Sequence, residues 1–409
     1  MIFNKDFGGF MLENKNILLG VTGGIAAYKI ATLASTLKKQ KANVKVIMTE
    51  NAAKFITPMT FETLTANKVY IDTFDRNFEF KVDHIELGKW ADVFLIAPAS
   101  ADVTGKLANG IADDMLTTTA LAMRCPIVIS PAMNTTMYEN KIVRHNMMKL
   151  RTYGMEVILP DSGHLACGDS GAGKMPQPEM LLEHIKKAVY KEKDLKGKKV
   201  CVSAGPTREA IDPVRYISNN STGKMGVELA KMAAYRGAKV TLVIGPSDVF
   251  VPDFIARIDI ESAKDMYDEI MKISDSQDII IKAAAVADYT PAKYSDEKIK
   301  KKDTDLSIEL SRTKDILKEL GKRRADNPKK QFLCGFSMET ENMEANSKKK
   351  LKSKNVDMIV ANNVKVEGAG FGTDTNVVTI FTKDKEIILD KLSKLEVAKK
   401  IFDEIVRNF

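Results

Sequence analysis

At 409 residues the chain is too long for one ordinary core, and at roughly 150 residues per domain it is expected to hold two or three. A hydrophobic share of 44%, a charged share of 28% and the lack of any run of about 18 apolar residues exclude a disordered chain and a helical membrane protein. The net charge of +8 permits nucleic-acid binding and suits phosphorylated small substrates equally well; the cysteines (Cys125, Cys167, Cys201, Cys334) share no C-x-x-C spacing, so neither a disulfide scaffold nor a zinc site is indicated.

The opening MIFNKDFGGFML lacks a basic region followed by a long apolar one, so a cytoplasmic protein with no membrane partner is expected. ILLGVT (17–22) leads through Gly23 and Gly24 into a helical pattern, and strand-like runs follow at 44–49, 93–98, 126–131 and 157–160 with amphipathic stretches between them. That alternation predicts a parallel sheet with right-handed crossovers. The pattern restarts at KKVCVSAG (198–205), continues through a helical stretch at 225–236 and runs at 238–246, 278–289, 358–364 and 377–382, and closes on a helix near 391–407. Between the halves lies the charged KKAVYKEKDLKGKK (186–199), which places the boundary near 190 and predicts domains over 1–190 and 191–409. The lysine clusters at 298–302 and 348–354 have no interleaved aromatics, so no nucleic-acid partner is expected.

CGDSGAGKM (167–175) imitates a phosphate-binding loop, since Gly168 to Lys174 satisfies G-x-x-x-x-G-K. Met175 replaces the hydroxyl that such a loop offers Mg²⁺, and Pro160, Pro176 and Pro178 break the required strand-to-helix path, so no helix is expected to start there. The stretch reads instead as a glycine-rich flap carrying Cys167. In open α/β sheets ligands bind beyond the carboxyl ends of the strands, where APASADVTGKLANGIADDMLTTTALA (97–122), PAMNTTMY (131–138), SAGPTREAIDPVRYISNNSTGKMG (203–226) and AAAVADY (283–289) fall. Taken singly, His84 reads as a surface histidine, Asn134 as a turn former and Cys167 as a buried thiol.

Together GGIAAYK, His84, the APASAD and KLANGIADD segments, PAMNTTMY and ACGDSGAGKM resemble, in order, the motifs of the flavin-dependent cysteine decarboxylases, in their phosphopantothenoylcysteine decarboxylase branch, over about residues 15–185. The resemblance implies a flavodoxin-like parallel sheet with FMN as cofactor. The thiol-bearing carbon is oxidised, carbon dioxide leaves, and the remaining enethiolate is reduced. It implies His84 as base, Asn134 as the ligand of the substrate carboxylate and Cys167 as proton donor in the last step. Thr22, Gly24, Thr49, Ser100 and Met133 are then the FMN contacts.

The second half resembles the phosphopantothenate-cysteine ligases through GPTREAIDPVRYISNNSTGKMG, AAAVADY, EKIKKK and GFSMETEN, over about 198–405, in the order of the fused bacterial enzymes of coenzyme A synthesis. This implies a Rossmann-like domain that joins the carboxylate of 4'-phosphopantothenate to CTP as an acyl-cytidylate, releases pyrophosphate, and lets the amine of cysteine displace CMP. By the same resemblance Lys298 steadies the triphosphate and Asn219 binds the intermediate's carbonyl, while Asp288, Phe336, Lys350 and Lys354 contact the nucleotide. Mg²⁺ accompanies CTP, with no metal ligands assigned. RTKDIL (312–317) fits the nucleotide-loop pattern only loosely, and the preference for CTP over ATP rests on the fused bacterial form. A homo-oligomer follows, with decarboxylase domains in threes and ligase domains in pairs, as in a dodecamer. The rival readings are a flavin-binding regulatory subunit for the first half, against which His84, Asn134 and Cys167 are all retained, and a decarboxylase of peptide C-terminal cysteines, against which the ligase half stands.

Overall fold

The structure, a computed structural model, describes residues 11–74, 82–164, 168–301, 305–325, 327, 329–339, 343–363 and 373–409. It divides into two units with the boundary between Lys191 and Glu192.

The first unit is a parallel sheet of β1 (Asn16–Val21), β2 (Asn43–Met48), β3 (Val69–Tyr70), β4 (Val93–Ala99), β5 (Ile127–Pro131) and β6 (Glu156–Val157), in the order β3-β2-β1-β4-β5-β6. Without the two-residue edge strand β3, the other five run 2-1-3-4-5 in their own sequence, the flavodoxin-like arrangement with its switch point between β1 and β4. The central strands read as unbroken apolar runs because both faces are covered. Ile17, Leu19 and Val21 of β1 share a core with Ile30, Leu33 and Leu37 of α1 (Ala27–Lys39), and Leu18 points the other way, into a second core. The connecting segments hold α2 (Glu50–Ala53), α3 (Pro58–Thr65), α4 (Asp83–Trp90), α5 (Ala101–Asn109), α6 (Met115–Leu121), α7 (Thr135–Glu139) and α8 (Lys141–Thr152). Leu87, Leu107, Leu116 and Leu150, from α4, α5, α6 and α8, fill that second core.

Two expectations change here. The run 157–160 gives only a two-residue strand, because the chain turns at Pro160 into an antiparallel hairpin of β7 (Asp161–His164) and β8 (Ser170–Lys174). A helix does follow the prolines: α9 (Pro178–Val189) starts on Pro178, whose missing N–H costs nothing in a first turn.

The second unit is an eight-stranded sheet. Six strands are parallel, in the order β13 (Ala256–Asp259), β12 (Lys239–Ile244), β9 (Lys199–Ala204), β14 (Ile279–Lys282), β17 (Phe332–Glu339) and β18 (Met358–Asn363); β20 (Val378–Thr382) then pairs antiparallel with β18, and β21 (Glu386–Ile388) antiparallel with β20 at the edge. The antiparallel pairing of β20 with its neighbours departs from the expected all-parallel alternation. Small two-stranded antiparallel pairs join β10 (Arg208–Ala210) with β11 (Tyr216–Ser218), β15 (Tyr289–Pro291) with β16 (Leu310–Arg312) and β19 (Thr375–Asn376) with β22 (Leu392–Ser393). α10 (Lys224–Tyr235) and α14 (Lys394–Asn408) pack together, and Gly226 lets α10 lie against β9, since a Cβ there would stand 2.4 Å from that of Ala204. α11 (Ala263–Ile273), α12 (Ile316–Arg323) and α13 (Met343–Ser353) bury Met266, Leu317 and Leu351 in the core that holds Cys201, Ile280 and Leu333. Ser393 and Glu396 form a capping box at the start of α14, worth about 1 kcal/mol. Among the described residues no helix is long and apolar enough to cross a membrane.

Candidate active sites

In the first unit the residues singled out for FMN stand at the carboxyl ends of neighbouring strands. Thr22 follows β1, Thr49 follows β2, Ser100 follows β4, and Met133 and Asn134 follow β5. Their local roles explain their types. Thr49, Ser100 and Asn134 are the N-caps of α2, α5 and α7, each side-chain oxygen accepting from a backbone N–H of the first turn. Thr22 is fully buried; its Oγ1 donates to Pro98 O at 2.6 Å and accepts from Ser100 N at 2.9 Å. Its hydroxyl therefore fixes the gap between β1 and β4 at the switch point, and Thr22 shapes the site from beneath. A Cβ added to Gly24 would rest in ordinary contact with Pro98 Cγ at 3.7 Å, which sets Gly24 against the cap of that gap. His84 lies inside the first turn of α4 and is half-buried. α4, which carries His84, packs on α6.

The glycine-rich stretch is β8, a strand and not a phosphate loop. Met133 N donates to Gly173 O at 3.0 Å, and a Cβ on Gly173, whose φ is +141°, would stand 2.3 Å from Met133 O. Glycine is thus required for the hairpin to lie along the 133–135 turn. Asn134 Nδ2 donates to Asp169 Oδ2 at 2.6 Å, and Lys29 Nζ donates to Met175 O at 3.1 Å, which ties the foot of the hairpin to α1. Cys167 lies outside the described residues. The described cysteines are inert thiols: burial pushes Cys125 up to about 11 and Cys201 up to about 12, and pushes Cys334 up as well.

In the second unit the carboxyl edge encloses a cavity of 610 Å³. Asn219, Asp288, Phe336, Lys350 and Lys354 all line it, brought together from four separate stretches of chain. Asn219 Nδ2 donates to Ala285 O at 3.1 Å, which fixes the asparagine beside the AAAVADY turn. At one end the loop 218–223 meets the N-terminus of α10, where Lys224 pairs with Asp374 at 2.7 Å. Nearby, the buried Lys394 donates to Thr373 O and to Thr375 O, the latter at 3.1 Å. At the other end Lys354 pairs with Asp315 at 2.9 Å, beside Lys282.

Lys298 does not line the cavity. It is exposed on a loop whose neighbour Ile299 donates its N–H to Asp212 Oδ2 at 3.1 Å and whose carbonyl accepts from Arg215 Nη2 at 2.9 Å. Sequence reasoning missed Lys282, Ser337, Asn362, Asn376 and Lys394, which also line the cavity. Ser337 Oγ, Asn362 Oδ1 and Asn376 Oδ1 are buried there without a hydrogen-bond partner, the state of groups kept for a ligand. Lys282 had one available signal, as the charge that closes the apolar run DIII; Asn376 and Lys394 come from distant chain and had none.

Residues 9–190 match the flavoprotein family model, and residues 195–409 match that of the DNA/pantothenate metabolism flavoprotein C-terminal domain. A coenzyme A biosynthesis bifunctional protein, CoaBC, of Bacillus subtilis is 49% identical over 399 residues, 97% of each chain. Its counterpart in Haemophilus influenzae is 42% identical over 398 residues, 97% of this chain and 98% of the other. The crystal structure of the C-terminal domain of a CoaBC protein is 41% identical, covers 53% of this chain and 97% of that one, and has a TM-score of 0.45.

Proposed function

Because the chain belongs to the family of coenzyme A biosynthesis bifunctional proteins, enzymes with a flavoprotein decarboxylase unit and a ligase unit in one polypeptide, we propose that residues 1–190 decarboxylate 4'-phosphopantothenoylcysteine with FMN and that residues 191–409 make that compound from 4'-phosphopantothenate, cysteine and CTP with Mg²⁺. The observation that carries the reading is the convergence of Asn219, Asp288, Phe336, Lys350 and Lys354 on one cavity at a sheet's carboxyl edge.

In the decarboxylase the carboxyl-edge loops fit a flavin: capping side chains at Thr49 and Ser100, the bare backbone of Gly24 and apolar surface at Ile25 and Met133. Bound FMN supplies the acceptance and return of a hydride at the thiol-bearing carbon. Asn134 orients the substrate carboxylate through an amide that already holds the carboxylate of Asp169. His84 takes the thiol proton, and Cys167 gives a proton to the enethiolate when the carbon is reduced again.

In the ligase a substrate carboxylate oxygen attacks the α-phosphorus of CTP, and the bond to pyrophosphate breaks. The amides at the start of α10, with Lys224 and Lys394 beside them, suit the triphosphate. Phe336 offers the base a flat wall, Asp288, Lys350 and Lys354 hold the nucleotide, and Asn219 holds the acyl carbonyl while the cysteine amine attacks it and CMP leaves. Lys298 acts from its exposed loop and not from the cavity wall. The enzyme works in the cytoplasm as a homo-oligomer, with decarboxylase units in threes and ligase units in pairs; exposed Met59, Phe74, Ile142 and Met148 give the first unit apolar surface for such contacts.

Two variants test the assignment on the full chain. Cys167→Ser should still release carbon dioxide and stop before 4'-phosphopantetheine, whereas Lys298→Ala should lose pyrophosphate release and still decarboxylate supplied substrate. Normal 4'-phosphopantetheine output from the first, or a wild-type ligase rate from the second, refutes the corresponding role.

A further inference from the structure

Lys282 closes the apolar run of β14, and its side chain lines the ligase cavity. Among the described residues it makes no hydrogen bond and no ion pair, although carboxylates are near. Asp315 is engaged elsewhere: Oδ2 pairs with Lys354 at 2.9 Å, and Oδ1 accepts from Lys318 N at 3.0 Å to cap α12. Asp288 is exposed. A half-buried ammonium left without a partner gives up hydration and gains nothing in return, so it is retained for something that enters the cavity.

The two ends of the cavity differ in chemistry. At the start of α10, oriented amides together with Lys224 and Lys394 favour an anion. Around Lys282 ammonium groups alternate with carboxylates, Lys282 and Lys354 against Asp315 and Asp288. Carboxylates at that end repel a polyphosphate. They suit a neutral ring that carries both a carbonyl acceptor and an amine donor, and Phe336 supplies an apolar wall for its face. Each oxygen of Asp315 retains a free lone pair for such a donor.

We propose that Lys282 and Asp315 read the edge of the nucleotide base, the Lys282 ammonium donating to the ring carbonyl of cytosine and the Asp315 carboxylate accepting from its exocyclic amine. The proposal rests on the CTP reading above and goes beyond it by naming the residues that choose the base. Adenine has the amine but no carbonyl, and uracil presents a second carbonyl to the carboxylate, so both are disfavoured.

The test is equilibrium binding of CTP, UTP, ATP and inorganic tripolyphosphate, with Mg²⁺ at pH 7, to the full chain and to its Lys282→Met and Lys282→Arg variants. Loss of one charge-assisted hydrogen bond should weaken CTP by about tenfold or more in Lys282→Met. Tripolyphosphate should bind as before, and Lys282→Arg, which keeps a donor, should retain the preference for CTP. Equal weakening of CTP and tripolyphosphate would make Lys282 a phosphate ligand and overturn the proposal, as would unchanged CTP binding in Lys282→Met. Wild-type protein that prefers ATP would sink the cytidine reading itself, whereas a wild-type CTP preference that survives in Lys282→Met sinks only the part given to Lys282.

Discussion

The amide of Asn134 and the carboxylate of Asp169 are joined across 2.6 Å, linking the cap of α7 to the flap hairpin. Asn134 Oδ1 is held by Thr136 N at 2.8 Å, so the amide is oriented whether or not a ligand is present. A carboxylate of the protein thus stands where the substrate's carboxylate is proposed to bind, and the two compete. Asp169→Ala should lower KM for 4'-phosphopantothenoylcysteine severalfold, as expected for release of one hydrogen bond to a charged group. The check is carbon dioxide release against substrate concentration; an unchanged or higher KM removes Asp169 as a competitor.

Gly173→Ala puts a methyl group against Met133 O and forces a φ of +141° on a residue with a side chain. The hairpin must lift from the 133–135 turn, at a cost of about 2 kcal/mol or more. Decarboxylation should fall at least tenfold while pyrophosphate release by the ligase unit is unchanged. Loss of both activities together would mean that Gly173 supports folding in general.

Acid should loosen the first unit through Glu156. Burial by itself raises that carboxyl, but the hydrogen bond from His184 at 2.6 Å and the charges of Lys187 and His184 prevail and bring it down to about 2 from 4.5. A carboxyl depressed in the folded state contributes stability that is complete above its unfolded pKa and is lost as pH falls through the folded one. The contribution should therefore fade between pH 4.5 and about 2. Urea midpoints across that range should decline less steeply in Glu156→Gln than in the wild type; parallel curves contradict the assignment.

Lys282 titrates in the opposite region. Burial, reinforced by the charge of Lys354 and opposed by Asp315 and Asp288, brings its ammonium down to about 8 from 10.5. The folded chain therefore sheds this proton before the unfolded chain does, so its contribution to stability rises with pH between about 8 and 10.5. CTP affinity should move the other way, weakening as pH rises from 7 to 9 because the donor loses its charge. Lys282→Met should lack that decline, and an identical pH profile in the variant would count against a charged Lys282 in the complex.

Much of the fold is legible in the amino-acid sequence. The runs at 17–22 and 93–98 are apolar throughout because helices cover both faces of β1 and β4, and Met175 with the flanking prolines already spoke against a phosphate loop at 168–174. Pro178 misled, since a proline that breaks a helix interior is harmless at its first position. The antiparallel edge β20-β21 was hidden because a strand's direction depends on what connects it and not on its own residues. Lys282 and Asn376 were missed for a related reason: β14 and β19 meet at the cavity only through sheet order and the long-range pairing of β19 with β22, which no local spacing records.

The central claim is that one chain carries out both reactions in sequence. Purified protein given 4'-phosphopantothenate, cysteine, Mg²⁺ and either CTP or ATP should be followed for pyrophosphate, carbon dioxide and 4'-phosphopantetheine. The account predicts all three products with CTP. Pyrophosphate without carbon dioxide would contradict it, leaving the first unit a flavin-binding domain without decarboxylase chemistry.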